Sequence, residues 1–326
     1  MCIRDRLYGL EPTRIELISS AVNDTYRVDV PGEELFLRVY SPNAYYGSTA
    51  DDFEFELKFT AHLAKNGVPT PSPIPTRTGQ LLASFDASGN AQRADLFPKA
   101  AGAPHRAWWP AIKSDDAVRE LGSLIARLHL AAESFSCNHS RYEFDLEFLL
   151  FKPLELLRVQ MDAHGRAGDY KDILSVSNAA KEVVATLGKA PDVYGVIHGD
   201  AHVGNVYYDD ELGFSLIDFD HCAHGWRVYD LVPLFITLEL NVPDKQIAKR
   251  VRILVLEGYE SVRPLAQTEH ECIPAFQFLW HLWDVGENLV LSSTWGGPIK
   301  DEDQTQASFL DNAVQTIQRT AHYVAR

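Results

Sequence analysis

The feature that most limits what this chain can fold into is a change of hydrophobic pattern about a third of the way along it. Before the change, strand-like runs alternate with turn signals. Arg14 to Ser19, Thr25 to Val30 and Glu34 to Tyr40 are short and rich in β-branched and aromatic residues, with Asn23-Asp24 and Pro31-Gly32 between them as hairpin turns. Between Ala50 and Asn66 the period lengthens: Phe53, Leu57, Ala61 and Ala64 recur at helical spacing, acidic residues fill the first turn, and Gly67 follows as a stop. Val68 to Pro75 carries four prolines, and Leu81 to Phe85 and Ala94 to Phe97 then read as two more strands. The pattern predicts a five-stranded antiparallel sheet with one helix, making a first domain of residues 1–97.

Ala100 to Pro110 is rich in Gly, Pro and Trp and marks a boundary, after which helical spacing dominates a second domain, 98–326. Ser114 to Ala132 opens with a capping serine and acidic residues, and places Val118, Leu121, Leu124, Ile125 and Leu128 on one face. Further helices are expected at 145–163, 171–188, 229–240, 244–260, 272–292 and 304–324. Three short strand-like runs interrupt them, Val193 to Ile197, Val206 to Tyr208 and Phe214 to Ile217. The fold class read from this order is α+β, a small sheet followed by a larger helical body.

Composition narrows the partners. With 326 residues, 46% of them hydrophobic, the chain can bury cores for about two domains at roughly 150 residues each. A net charge of −15 and the lack of a Lys/Arg run argue against nucleic acid and anionic membrane as the main partner. Cys2, Cys137, Cys222 and Cys272 lie far apart without a C-x-x-C pair, the usage of reduced thiols, so a cytoplasmic setting is expected. Neither an apolar run of membrane-spanning length nor the apolar core of a signal peptide is present.

The chemistry concentrates in Val196-Ile-His-Gly-Asp-Ala-His-Val-Gly-Asn205, followed by a hairpin and Ile217-Asp-Phe-Asp220. An aspartate five residues before an asparagine has the spacing of a phosphoryl-transfer loop: Asp200 would accept the proton of an attacking hydroxyl, and Asn205 and Asp218 would hold Mg²⁺. Hard divalent ions on oxygen ligands are needed there because the transferred phosphate is densely anionic. Asp220 is open between a second Mg²⁺ ligand, an acceptor contact and a bond to loop backbone. His198 and His202, and His221 with Cys222 and His224, offer soft ligands at close spacing, but Gly199 and Gly204 argue for a loop rather than a zinc-binding helix.

His-Gly-Asp-x-His-x-x-Asn followed by Asp-Phe-Asp resembles the aminoglycoside phosphotransferase and choline kinase superfamily. So do Ser20-Ala-Val-Asn-Asp-Thr-Tyr-Arg-Val28, Leu35-Phe-Leu-Arg-Val39, the Glu56 to Pro69 stretch and Leu121 to His129. Phe144 to Leu150 and Trp283 to Gly297 most resemble bacterial stress response kinase A and its homoserine-kinase-like relatives. The resemblance implies a two-lobed protein-kinase-like fold that transfers the γ-phosphate of MgATP to a hydroxyl of a small molecule or of a protein Ser/Thr. It implies that Arg38, paired with Glu56, contacts the phosphates, that adenine lies against a hinge at Leu96, Phe97 and on to Lys99, and that Asp230 braces the catalytic loop.

Three departures from the family pattern bear on function. Arg38 stands where many members have Lys, and a planar guanidinium reaches phosphate differently from an ammonium. The nucleotide loop Ser19 to Asp24 has no glycine, leaving Ser20, Asn23 or backbone N–H groups to serve. Seven residues precede Tyr8, where relatives usually begin with a helix, so a truncated or non-native start is an expectation. Trp280, Trp283 and Trp295 with Asp284 and Glu287 either line an acceptor pocket or form core. Two other classes stay open: a catalytically silent nucleotide-binding protein of the same fold, and a metal-dependent hydrolase.

Overall fold

A computed structural model describes residues 7–20, 22–41, 49–87, 90–104, 114–242, 244–295 and 306–324. Five strands form the first sheet: β1 (Arg14–Ser20), β2 (Asp24–Val30), β3 (Glu33–Val39), β4 (Ala83–Ala87) and β5 (Asn90–Pro98). They lie in the order β1-β2-β3-β5-β4, with every neighbouring pair antiparallel. Successive side chains on a strand point to opposite faces. Leu35, Leu37, Ala94 and Leu96 therefore share one face with Val28, closed by Ile15 and Ile74, while Phe36, Arg38 and Phe97 turn to the other.

Helix α1 (Ala50–Lys65) covers that second face. Its start is fixed by a capping box, in which the Thr49 hydroxyl accepts from Asp52 N while the Asp52 carboxylate accepts from Thr49 N. The helix has two apolar sides. Phe53 and Leu57 pack with Tyr40 and Leu82 beneath the sheet, whereas Phe55, Phe59 and Leu63 enter the core of the helical body. Burying each large side chain of this kind contributes roughly 1.5–3 kcal/mol, so Phe59→Ala would loosen the helix from that body.

The helical body contains α2 (Asp115–Ala132), α3 (Lys152–Ala163), α4 (Ala167–Ala185), α5 (Leu231–Asn241), α6 (Lys245–Glu260), α7 (Gln267–Trp295) and α8 (Gln306–Val324). Ser114 caps α2 as its sequence predicts. Helices α2 and α6 approach closely at Gly258, where any side chain would strike the Arg119 carbonyl. Among the described residues no helix is long and apolar enough to cross a membrane.

Several boundaries differ from the sequence reading. Residues 145–163 open with a π-helical turn, Glu147–Phe151, before α3 begins. Helix α4 starts four residues before the expected 171, where Arg166 pairs with Asp169 at 2.8 Å and holds the first turn. Pro274 reads as a first-turn residue, yet α7 begins at Gln267 and carries it internally. Short strands β6 (Ala103–Pro104), β7 (Glu143–Phe144) and β11 (Ala223–Trp226) offer too few residues for a periodic signal. With β8 (Tyr194–Ile197), β9 (Val206–Asp209) and β10 (Gly213–Leu216) they make two three-stranded sheets, β10-β9-β6 and β7-β11-β8. The two loops that carry the polar motifs run between these small sheets. Part of the Ala100 to Pro110 boundary, the start of the chain, Ala21, Gly297 and the side chain of Trp295 lie outside the described residues.

Candidate active site

Asp230 sets the shape of the loop after β8. Its Oδ2 accepts from His198 N and its Oδ1 from Gly199 N, both at 2.8 Å, and His129 Nε2 lies 3.0 Å from Oδ2. His129 is held in turn by the Tyr259 hydroxyl at 2.8 Å, and burial lowers its proton affinity, so it serves as a neutral packing histidine. Gly199 turns the chain at φ 84°, and a Cβ there would collide with the His221 carbonyl.

The histidines are spent on the loops. His198 Nδ1 accepts from Asp200 N at 3.3 Å, so its Nε2 carries the proton and donates to Ile217 O at 3.1 Å, joining the two motif loops. His202 Nδ1 accepts from Gly204 N at 2.8 Å. Asn205 then folds back: its Nδ2 donates to Asp200 O at 3.0 Å and lies 3.4 Å from Asp200 Oδ2. With its nitrogen so used, the Asn205 amide oxygen is the atom suited to a cation.

Asp218 is the one non-glycine residue with positive φ among the described residues, at 62°. That left-handed backbone costs on the order of 1–2 kcal/mol, and it turns a half-exposed carboxylate (49% of the side chain) into the cleft, 3.7 Å from Arg38 Nη1. The neighbouring Asp220 carboxylate, the largest cause, pushes Asp218 up to about 7. Burial, then Glu56, pushes Asp220 to about 7, and burial with Asp218 and Asp284 nearby does the same to Asp200. So many carboxyls at one site favour a bound cation.

The donor set determines which cation fits. Among the described residues no three His, Cys, Asp or Glu side chains form a ready cage. Asp218, Asp220 and the Asn205 oxygen could instead serve a cation such as Mg²⁺, which needs few protein ligands and keeps waters and phosphate oxygens as the others.

Across the cleft, Arg38 is held on several sides. Its Nε and Nη2 donate to Asp95 Oδ2 at 3.1 and 2.7 Å, and Nη2 also reaches the Tyr40 hydroxyl at 2.9 Å and Glu56 Oε1. Glu56 is 2% exposed, and burial raises its proton affinity against the opposing effect of Arg38 and Arg141. The cleft measures ≈ 740 Å³ and is lined on the sheet side by Asn23, Phe36, Arg38 and Phe97, and on the other by Tyr207, Ile217 and Asp218.

Some sequence candidates sit elsewhere. The Ser20 hydroxyl donates to Asp24 at 2.7 Å and does not line the cleft, which Ser19 and Asn23 do. The Asn23 Oδ1 accepts from Ser41 N at 3.1 Å. The Leu96 side chain is buried in the sheet core and its carbonyl accepts from Ile74 N at 2.7 Å. Pro98 has no N–H, and the Lys99 N–H donates to Glu34 O at 3.2 Å, so neither offers a free N–H to a base; Phe97, Pro98, Lys99 and Ala100 all line the cleft. Trp283 packs against Phe144, Phe148 and His221, and Trp280 against the same core. Near them, burial pushes Asp284 up to about 6, and Glu287 Oε1 lies 3.8 Å from His221 Nε2.

Asp95 and Tyr40, which hold Arg38, and Arg141, which bonds the carbonyls of Asp220 and Cys222, are neighbours of the candidate site that the sequence does not single out. A charged residue between apolar Ala94 and Leu96 was the available signal for Asp95, since a carboxylate is seldom fully buried without a partner.

A sheet lobe and a helical lobe, with these loops between them, make a kinase-like phosphotransferase fold. Residues 14–265 match the phosphotransferase enzyme family, and the chain belongs to it. The chain is 29% identical over 227 residues to a homoserine kinase of Xanthobacter autotrophicus, which is 69% of this chain and 64% of that one. Among solved structures, a microcompartment-associated aminopropanol kinase superposes with a TM-score of 0.75 at 22% identity, covering 98% of this chain and 94% of its own. An amicoumacin kinase in complex with AMP-PNP, Ca²⁺ and Ami gives 0.76 at 18% identity, covering 98% and 90%. At such identities the two structures share the fold.

Proposed function

We propose that this phosphotransferase is an ATP-dependent kinase that transfers the γ-phosphate of MgATP to the hydroxyl of a small acceptor. The observation that carries the reading is the placement of Asp200 and Asn205, hydrogen-bonded to each other, on one loop, with Asp218 on the next facing Arg38 at 3.7 Å. Adenine would lie against the face that Phe36 and Phe97 share in the cleft, and Arg38 would meet the phosphates with Nη1, the nitrogen not committed to Asp95, Tyr40 or Glu56. Asp200 would orient the acceptor hydroxyl and take its proton as the phosphoryl group transfers in line. Mg²⁺ held at Asn205, Asp218 and Asp220 would offset the phosphate charge. The similar amicoumacin kinase structure contains a nucleotide analogue with a divalent cation, which supports the use of a nucleotide and a divalent ion here.

A small acceptor is favoured over a protein Ser/Thr, because the homoserine kinase is alike in chain and the aminopropanol kinase in fold, and each is named for an amine-bearing alcohol. Asp284 near Asp200, with Glu287 next to His221, suits a cationic amine on such an acceptor. The test is ADP release from MgATP with a panel of hydroxyl acceptors, amino alcohols and a generic protein substrate, beside Asp200→Ala. Release that needs both an acceptor and Asp200 supports the reading. Tight ATP binding without acceptor-stimulated release would favour a silent nucleotide-binding protein, and ATP-independent hydrolysis would favour the hydrolase.

A further inference from the structure

Arg141 is buried, 1% exposed, and belongs to neither motif loop. Its three donor groups all go to main-chain carbonyls: Nε to Cys222 O at 2.8 Å, Nη1 to Asp52 O at 2.9 Å, and Nη2 to Asp220 O. Two of those carbonyls lie in the loop that follows Asp218, and the third lies in the first turn of α1, one turn before Glu56. Its nearest carboxylate is Asp52, at 4.0 Å. Asp52 at that distance and the charge of Glu56 offset the guanidinium, but ion pairing alone does not account for three bonds to main-chain carbonyls.

The surrounding segment has the same orientation. After α2, Phe135 packs edge-on against Phe55 and Phe59 of α1. His139 accepts from Lys58 Nζ at 2.7 Å and donates through Nδ1 to Asp51 at 3.1 Å, and Ser140 bonds Asp51 at 3.3 Å. This strap fastens the outer side of α1 to the helical lobe, and Arg141 reaches past it into the loop. The Tyr142 ring lies 4.8 Å beneath the guanidinium, and its hydroxyl donates to His221 O at 3.4 Å. A planar fork with donors in three directions spans these carbonyls; an ammonium cannot.

We propose that Arg141 is a positioning residue that fixes the Asp218–Cys222 loop relative to Glu56, so that the cation-binding carboxylates and the Arg38–Glu56 pair meet MgATP as one unit. The inference rests on the functional reading above for its ligand. The consequence is that α1 follows the helical lobe, and the position of Glu56 is coupled to that of the metal loop.

The test compares wild type with Arg141→Lys and Arg141→Ala, measuring the Mg²⁺ concentration for half-maximal turnover, the KM for MgATP and for acceptor, and amide exchange over residues 51–57 and 219–223. The Mg²⁺ requirement and the MgATP KM should rise about 10–100-fold, the range seen when a residue supporting a metal ligand is lost, while the acceptor KM stays near wild type. Arg141→Lys keeps the charge and should restore little. MgADP should protect both segments together in wild type but only the loop in Arg141→Lys. Unchanged Mg²⁺ requirement and joint protection in Arg141→Lys would overturn the inference, as would a loss of thermal stability alone in Arg141→Ala. If wild type neither turns over nor binds MgATP, the functional reading fails separately. The inference is then read from ligand-free exchange, which Arg141→Lys should raise in both segments; exchange unchanged in either would overturn it.

Discussion

Arg38 on β3 and Asp95 on β5 stand directly opposite each other in the antiparallel register, and Asp95 Oδ2 takes two hydrogen bonds from the Arg38 guanidinium. The same oxygen accepts from the Tyr40 hydroxyl at 2.5 Å. A guanidinium in place of an ammonium carries more donors than Glu56 can satisfy, and Asp95 takes the surplus. Asp95→Ala leaves Arg38 paired with Glu56 but strips hydrogen-bond partners from the Arg38 guanidinium and the Tyr40 hydroxyl, and should cost about 1–3 kcal/mol of stability. Asp95→Asn is the milder variant, and it should raise the MgATP KM with less change in the acceptor KM. Equilibrium denaturation and steady-state kinetics read the two effects.

Asp200→Asn keeps the size and the loop bonds of the side chain but removes the proton acceptor. Turnover should fall about 10²–10⁴-fold, the usual share of a positioned base, with MgADP affinity by calorimetry near wild type. Asp218→Ala should show the opposite emphasis, weakening MgADP binding directly.

Burial and one another's charge push Asp200, Asp218 and Asp220 up to about 7 in the folded protein, against about 3.9 for an unfolded aspartate. The folded state therefore binds more protons between those values, and without metal its stability falls as pH rises through that window. Mg²⁺ binds the deprotonated carboxylates and opposes the loss. Melting scans should show Tm falling from about pH 5 to about pH 8 without Mg²⁺, and a larger gain from added Mg²⁺ at the higher pH.

Asp284→Asn tests the acid beside Asp200. The KM for an amine-bearing acceptor should rise about tenfold, the value of roughly one lost charge contact, while the MgATP KM holds. A neutral alcohol as acceptor should be insensitive to the change.

Much of the fold was legible because its signals are local. Thr49 and Asp52 begin α1, Ser114 begins α2, and the hairpin turns at Asn23-Asp24 and Pro31-Gly32 separate the first three strands. The motif loops were legible as well, since close spacing in sequence brings Asp200 to Asn205. Long-range pairing was not. Arg38 and Asp95 are 57 residues apart, and only the β3–β5 register places them together. Arg141 carries no local signal, because its partners at 52, 220 and 222 are set by tertiary packing. Leu96 and Phe97 were both named at the hinge, but adjacent strand residues face opposite sides, so one side chain is core and the other lines the cleft.

The central claim is that Asp200 directs phosphoryl transfer from ATP to a hydroxyl. It is tested most directly by incubating the protein with ATP labelled in the γ-phosphate, Mg²⁺ and an amino-alcohol panel, and locating the label by mass spectrometry. The account predicts label on an acceptor hydroxyl oxygen with wild type and none above background with Asp200→Ala. Label on an acceptor at equal rates in both proteins, or release of inorganic phosphate alone, would contradict it.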